Sequence, residues 1–200
     1  MKQQVVVIHG GDSFRTHEEY LQFLRDFPFT IESARPKRDW KSLLPSVLGE
    51  EYDVLAPAMP NKTNARYEEW SIWFEKMFPF LEDGVIFIGH SLGGMFLAKY
   101  LAEHVFPRRI GALFLVAAPH NHSGEVGDFT LPESIDSVDR QVQHIFLFHS
   151  ADDEIVPFSE LAVYAKQLPK AVTTSFSDRG HFNQSEFPEL IRCIMTTMKT

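Results

Sequence analysis

Short apolar runs recur along the chain, separated by segments with a helical pattern. Most of these runs are unbroken rather than alternating, which is typical of strands covered on both faces in a parallel sheet. A more polar run near the C-terminus completes the series. The six predicted strands are Val5–Ile8, Tyr52–Leu55, Val85–Ile88, Ala112–Val116, Ile145–Phe148 and Val172–Phe176.

Several segments between these runs have the pattern of amphipathic or buried helices. In 66–77, large apolar side chains recur at helical spacing behind the acidic residues Glu68 and Glu69. The segment 188–198 begins with Pro188, and proline is favoured at the first position of a helix. Strands that alternate with helices predict an α/β fold with right-handed crossovers. We expect a mostly parallel sheet of about six strands with helices on both faces. The predicted helices are Arg66–Met77, Leu92–His104, Ser159–Leu168 and Pro188–Met198.

One long stretch, Pro119 to Gln143, has no clear period and is rich in polar residues. A loop of this length inside a compact domain is usually functional or mobile. We interpret 119–143 as a short lid or pocket wall, and a plain surface insertion is the alternative. The length of 200 residues fits one domain over 1–200.

Composition and charge exclude several classes of function. The formal net charge of −8 disfavours a nucleic acid or an anionic membrane surface as the main partner, since both require a basic patch. No apolar run is long enough to span a membrane. Cys193 is the only cysteine, which excludes an internal disulfide and a thiolate metal cluster, and a cytoplasmic location is the default expectation.

The sequence Gly89-His90-Ser91-Leu92-Gly93 fits the pattern Gly-x-Ser-x-Gly. The pattern alone is weak, but here it follows a predicted strand and precedes a predicted helix, as a nucleophile elbow requires. Such a turn lifts the serine hydroxyl above the sheet, and the following helix directs free amides at a developing oxyanion. We therefore take Ser91 as the candidate nucleophile and the Leu92 amide as one oxyanion donor.

A serine nucleophile needs a base, and the base needs an orienting acid. Three adjacent acids, at 152–154, follow the fifth predicted strand, and Gly180-His181-Phe182 follows the sixth. The order serine, acid, histidine is that of the α/β-hydrolases. His181 is therefore the candidate base.

The first predicted strand ends in His9-Gly10-Gly11-Asp12, a His-Gly loop typical of the second half of an oxyanion hole. Gly11 is the candidate donor, with Asp12 close behind. A second pair, His120-Asn121-His122, has a spacing seen in metal sites. No matching carboxylate or third histidine stands nearby in the sequence, so we interpret the pair as part of a polar loop and expect no metal.

Taken together, these motifs resemble those of compact α/β-hydrolases with a three-layer fold. More narrowly, the chain resembles the small serine hydrolases grouped with retinoblastoma-binding protein nine. The resemblance covers nearly the whole chain and rests on its size, the N-terminal His-Gly loop, Gly-His-Ser-Leu-Gly-Gly, Asp-x-x-Val-Pro, Gly-His-Phe and the loop Pro57-Ala58-Met59-Pro60.

The resemblance implies that Asp153, three residues before Val156, is the acid, with Asp152 as second choice. It also implies hydrolysis of an ester, thioester or amide without a metal or organic cofactor, and a small-molecule acyl substrate. The Leu-x-Cys-x-Glu motif of pocket-protein partners is absent, since Cys193 stands in Ile-Arg-Cys-Ile-Met, so no protein partner is assigned. The alternative is a catalytically silent binding protein. Candidate pocket residues are Phe14, Met59, Trp73 and Phe129.

Overall fold

A computed structural model describes residues 2–35, 38–123 and 126–197. Its centre is a sheet of six strands in the order β2-β1-β3-β4-β5-β6, and every neighbouring pair is parallel. The predicted parallel α/β architecture is confirmed. The strands are β1 (Gln3–Ile8), β2 (Tyr52–Leu55), β3 (Val85–His90), β4 (Ile110–Val116), β5 (Val142–Ser150) and β6 (Val172–Phe176).

Seven helices connect or flank the strands in the described residues, and each predicted helix is present within a few residues of its expected ends. The last one is described to Thr197, so the predicted end at Met198 lies outside the described residues. The helices are α1 (His17–Asp26), α2 (Trp40–Leu48), α3 (Tyr67–Glu75), α4 (Leu92–Glu103), α5 (Asp136–Gln141), α6 (Ser159–Gln167) and α7 (Pro188–Thr197).

The core consists of two clusters, one on each face of the sheet. Successive residues of a strand point to opposite faces, so Val6 and Phe87 pack with α3, α4, α5 and α6, whereas Val5 and Ile86 pack with α2 and α7. This division explains the unbroken apolar runs, because each strand must be apolar on both sides. The three-layer arrangement is therefore present, with α1 outside it, since none of the residues of α1 is buried.

The expectation of one irregular stretch over 119–143 is wrong for its second half. The structure places a short 3₁₀ turn at Gly127–Phe129 and the helix α5 at Asp136–Gln141, and β5 already begins at Val142. The helix is only six residues long, too short to show a helical period. It is held by Val138, which is fully buried in the core that includes α4. Tertiary packing therefore forms these elements where the local pattern gives no signal.

Because all six strands are parallel, their C-terminal ends lie on the same side of the molecule. Ser91 follows β3, Asp153 lies shortly after β5, and His181 lies after β6. Ligands of open α/β sheets bind at the C-terminal ends of the strands, so we expect the site there. None of the helices in the described residues is both long and apolar enough to cross a membrane.

Candidate active site

Ser91 occupies a sharp turn between β3 and α4. Its backbone has φ 54° and ψ −128°, a region that non-glycine residues rarely adopt, and its hydroxyl makes no capping hydrogen bond to the helix. The Ser91 amide donates to the Val116 carbonyl oxygen at 2.8 Å, which ties the turn to the end of β4. The turn therefore has the geometry of a nucleophile elbow, and the Ser91 hydroxyl is not engaged in capping α4.

Close backbone contacts around this turn require glycine. A Cβ on Gly93 would clash with the carbonyl oxygens of Ile8 and His9, because the start of α4 packs directly on the end of β1. A Cβ on Gly10 would lie 2.9 Å from Cβ of Ser91. These contacts bring the loop after β1 against the serine turn.

Asp153 and His181 form a hydrogen-bonded pair. Nδ1 of His181 lies 2.8 Å from Oδ2 of Asp153, whose side chain is fully buried. The other carboxylate oxygen accepts from the amides of Ile155 at 2.9 Å and Val156 at 3.0 Å. Burial by itself raises the pKa of Asp153, but the hydrogen bonds from His181, Val156 and Ile155 outweigh it and hold that pKa below its usual range. The structure thus favours an ionised carboxylate that fixes the imidazole.

Asp152 has a different set of partners. Its Oδ1 accepts from the Ser150 hydroxyl in a short hydrogen bond and from the Gly180 amide at 2.9 Å. The Ser150 hydroxyl in turn accepts from the Arg179 amide at 3.1 Å. Asp152 therefore holds the backbone just before His181, while Asp153 contacts the imidazole itself.

The loop that carries His181 is also held by side chains of α2 and of the end of β3. Nε1 of Trp40 donates to the Phe182 carbonyl oxygen at 2.8 Å, and Nε2 of His90 lies 2.8 Å from the His181 carbonyl oxygen. The Lys41 ammonium lies 3.5 Å from Nδ1 of His90. Burial, followed by the charge of Lys41 and the nearby His181, lowers the pKa of His90 well below its usual value. His90 is therefore neutral, and it donates to His181 through Nε2.

The loop after β1 supplies the candidate oxyanion amides. Its position is fixed by His9, whose Nδ1 donates to the Gly10 carbonyl oxygen at 2.7 Å and whose Nε2 accepts from the Met59 amide at 2.9 Å. The Asp12 amide donates to the Lys62 carbonyl oxygen at 2.8 Å and so is already used. Of the two amides considered in this loop, Gly11 remains the candidate.

A cavity of about 210 Å³ opens beside the serine. Its walls include Ser91, Leu92 and Gly11, together with Phe14, Phe23 and Val126. Of the four predicted pocket residues, the structure brings only Phe14 to this cavity.

The other three predicted pocket residues lie elsewhere. Phe129 is fully buried and packs edge-on against Trp70 at 5.2 Å, and Met59 is 4% exposed in the same core. Trp73 lines a separate apolar groove with Pro57. Their helical or loop positions in the sequence gave no information about which side chain faces the serine.

The fold brings a carboxylate to His120 and His122 that is not near them in the sequence. Glu160, at the start of α6, brings a side-chain oxygen within 4.8 Å of a ring nitrogen of each histidine. The sequence could not show this contact, because 38 residues separate His122 from Glu160 in the chain.

A family model described as "Serine hydrolase" matches residues 33–191, which is most of the chain. This chain belongs to the serine hydrolase family. The rat protein "Serine hydrolase RBBP9" is 33% identical to it over 158 residues, which cover 74% of this chain and 78% of the rat protein. YdeN of Bacillus subtilis is 26% identical over 190 residues, covering 93% of this chain and 89% of YdeN.

This serine hydrolase also has close structural neighbours. The crystal structure of the ydeN gene product from B. subtilis superposes with a TM-score of 0.73 at 20% identity, with complete coverage of both chains. Together with the sheet order and the elbow at Ser91, this confirms the expected α/β-hydrolase fold. The family model and the rat relative confirm the resemblance to the small serine hydrolases.

Several features of the site could not be recognised in the sequence. The support of the His181 loop by Trp40 depends on a contact between residues 142 positions apart. Phe23 reaches the cavity from α1, which lies outside the three layers. The one available signal was the His9-Gly10 pair, which marked the loop but not the role of the imidazole in fixing it.

Proposed function

We propose that this serine hydrolase cleaves a small ester, thioester or amide through an acyl-enzyme formed on Ser91. His181 is the general base and Asp153 is the acid that orients it. The observation that carries the proposal is the 2.8 Å hydrogen bond between Nδ1 of His181 and the buried Asp153 carboxylate. This bond supports a tautomer in which Nδ1 donates to Asp153 and Nε2 is able to accept a proton.

The proposed reaction has two halves. As the Ser91 oxygen attacks the substrate carbonyl, Nε2 of His181 takes the hydroxyl proton and then delivers it to the leaving group. The leaving group departs, and the acyl group remains as an ester on Ser91. Water then gives a proton to His181 and attacks this ester, so that the acid is released and the serine regains its proton. No metal or organic cofactor takes part in these steps.

Two backbone amides are proposed to hold the oxyanion of each tetrahedral intermediate. Leu92 is the first residue of α4, so its amide has no acceptor within the helix and carries the positive end of the helix dipole. Gly11 lies in the loop that packs against Ser91 and lines the same cavity. Preorganised donors of this kind typically contribute a factor of about 10²–10³ each to turnover.

The size of the cavity supports a short acyl group. Its volume of about 210 Å³ lies below the roughly 300–1,000 Å³ of pockets for drug-sized ligands. Phe14, Phe23, Val126 and Ile155 give the wall apolar surface for an acyl chain, beside polar surface from Asp12, Ser13 and Ser123. We therefore expect acetyl to butyryl esters to be cleaved with a higher kcat/KM than long-chain esters.

The proposal is tested by treating the protein with an alkyl fluorophosphonate and measuring its intact mass. We expect one adduct, mapped to Ser91 and absent from both Ser91→Ala and His181→Ala. Ser123→Ala is the matched control, because Ser123 lines the same cavity outside the elbow, and it should be labelled like the natural protein. A folded protein without an adduct would instead support a catalytically silent binding protein.

The proposed acyl selectivity has its own test. Phe23→Ala removes a wall of the cavity while leaving the elbow and the His181 loop unchanged. We expect kcat/KM for p-nitrophenyl octanoate to rise relative to the acetate ester in this variant. An unchanged ratio would mean that the acyl group does not occupy the space beside Phe23.

A further inference from the structure

Two histidines and a glutamate from distant parts of the chain meet next to the active-site cavity. His120 and His122 stack with ring centroids 5.7 Å apart, and Nδ1 of His122 lies 3.9 Å from Oε2 of Glu160. One ligand atom from each residue lies within 4.8 Å of the other two. His122 is exposed, whereas His120 and Glu160 are buried, so the cluster connects solvent to an interior carboxylate.

The polar atoms at the buried end of this cluster have no hydrogen-bond partner among the described residues. This holds for both ring nitrogens of His120 and for both carboxylate oxygens of Glu160, a residue with 0% exposure. Native proteins rarely leave buried carboxylates or imidazoles without partners, because the loss of hydration is costly. One nitrogen of His120 and one oxygen of Glu160 lie within 4.8 Å of each other and of His122, so unpartnered atoms of both buried residues meet at one place, where a bound ligand would satisfy them.

We propose that His120, His122 and Glu160 bind a divalent transition-metal ion of the zinc class. Two imidazole nitrogens and one carboxylate oxygen are a ligand set that zinc accepts, with water completing the coordination. Bonds of about 2.0–2.2 Å require ligand atoms roughly 3.3–3.5 Å apart, so closure needs movements of about an ångström. The exposed His122 side chain can supply most of this movement.

The chemistry of His120 fits a ligand role. Burial, with a smaller contribution from His122, lowers the pKa of His120 to about 4, so the imidazole is neutral and able to bind metal at neutral pH. Its ring packs edge-on against Tyr164 at 5.1 Å, which restrains its orientation. Tyr164 itself donates to the Pro119 carbonyl oxygen at 2.7 Å, so α6 already contacts the segment that carries the two histidines.

The position of the site gives the metal a structural role. Pro119 and Ser123 flank the two histidines and line the cavity beside Ser91. An ion bound by both histidines and by Glu160 would therefore fix this cavity wall to α6. The proton transfers at Ser91 do not involve the ion.

Zinc binding can be measured directly on the full chain, without a polyhistidine tag and after removal of metals by a chelator. In equilibrium dialysis we expect one Zn²⁺ per chain, and Co²⁺ in the same site should give the visible absorption of a low-coordinate N/O site. His122→Ala and Glu160→Gln should each weaken Zn²⁺ binding at least about tenfold. His17→Ala removes an exposed histidine on α1, far from the cluster in the chain, and should bind zinc like the natural protein.

Thermal unfolding provides a second measurement that does not depend on enzyme activity. With free Zn²⁺ about a hundredfold above its dissociation constant, the melting temperature should rise by roughly 5–10 °C in the natural protein and in His17→Ala. His122→Ala should fold normally without metal, since its side chain is 70% exposed, but should lose this rise. Failure of the natural protein to bind zinc or cobalt stoichiometrically, or equal binding by all three variants, would overturn the proposal.

Discussion

The two adjacent aspartates after β5 should differ sharply when each is changed to asparagine. In Asp153→Asn, the side-chain oxygen can still accept from the amides of Ile155 and Val156, which directs the new NH₂ group at Nδ1 of His181. Two donors cannot share a hydrogen bond, so the imidazole must move its proton to Nε2. In that tautomer His181 cannot accept the proton of Ser91.

The size of this effect follows from the geometry. The new side chain of Asp153→Asn would keep the hydrogen bonds from the two backbone amides, so the protein should still fold. His181, however, should no longer act as a base. A wrongly protonated triad histidine reduces turnover by about 10⁴, which corresponds to about 5 kcal/mol of transition-state stabilisation. Asp152→Asn keeps an oxygen that accepts from Ser150 and Gly180, and it leaves the His181–Asp153 bond intact. We expect less than a tenfold loss in that variant.

The assay is the turnover of p-nitrophenyl acetate, measured beside the rate of fluorophosphonate labelling for both variants. Far-UV circular dichroism and urea unfolding would show whether each variant folds. The reasoning would be refuted if folded Asp153→Asn kept activity within tenfold of the natural protein. A larger loss in Asp152→Asn than in Asp153→Asn would also refute it, and would transfer the orienting role to the other carboxylate.

Three further changes test the surroundings of the site. Gly93→Ala forces α4 away from the end of β1 and should lower the free energy of unfolding in urea by roughly 1–3 kcal/mol; an unchanged urea midpoint would contradict this. Trp40→Phe removes the indole donor to the Phe182 carbonyl oxygen and should cost about 1–2 kcal/mol of stability and lower kcat more than it changes KM, whereas unaltered kcat would argue against a positioning role. The pKa of His90 is lowered in the folded state, so as pH falls below about 6.5 the unfolded chain takes up a proton before the folded one and the folded state loses stability. Urea unfolding at a series of pH values should therefore show the free energy of unfolding falling by up to about 1.4 kcal/mol per pH unit because of this residue. The decline should be shallower in His90→Gln.

The sequence was informative wherever one residue type has few structural uses. Five unbroken apolar runs and one more polar run placed all six strands, although β5 begins earlier than expected because Val142 and His144 still pair with β4. The glycines around Ser91 indicated a turn that only small residues permit, and the structure shows the backbone contacts that make them necessary. The choice of Asp153 over Asp152 rested on a family spacing, and the contacts to His181 supply its physical basis.

Contacts between distant segments were beyond such reasoning. Trp73 had the same helical spacing as Trp70 and Phe74, yet it is 45% exposed while they are fully buried. Periodicity identifies a helix face, but which cavity that face borders depends on how the helix crosses the sheet. The same holds for Glu160, an ordinary surface residue by sequence that the crossing of α6 places in the interior.

The base of the proposed triad depends on the last strand of the sheet, which has a neighbour on one side only. Val172 at the start of this edge strand is 56% exposed, so the backbone amides of β6 are less protected from solvent than those of the central strands. Ser91, by contrast, follows the central strand β3, which is buried along its whole length. Hydrogen exchange should accordingly be faster in β6 than in β3, and transient detachment of this edge would separate the histidine from the serine while most of the molecule stayed folded. Local opening of β6, and not global unfolding, would then limit how long the protein stays active, and activity would be lost while the core is still folded.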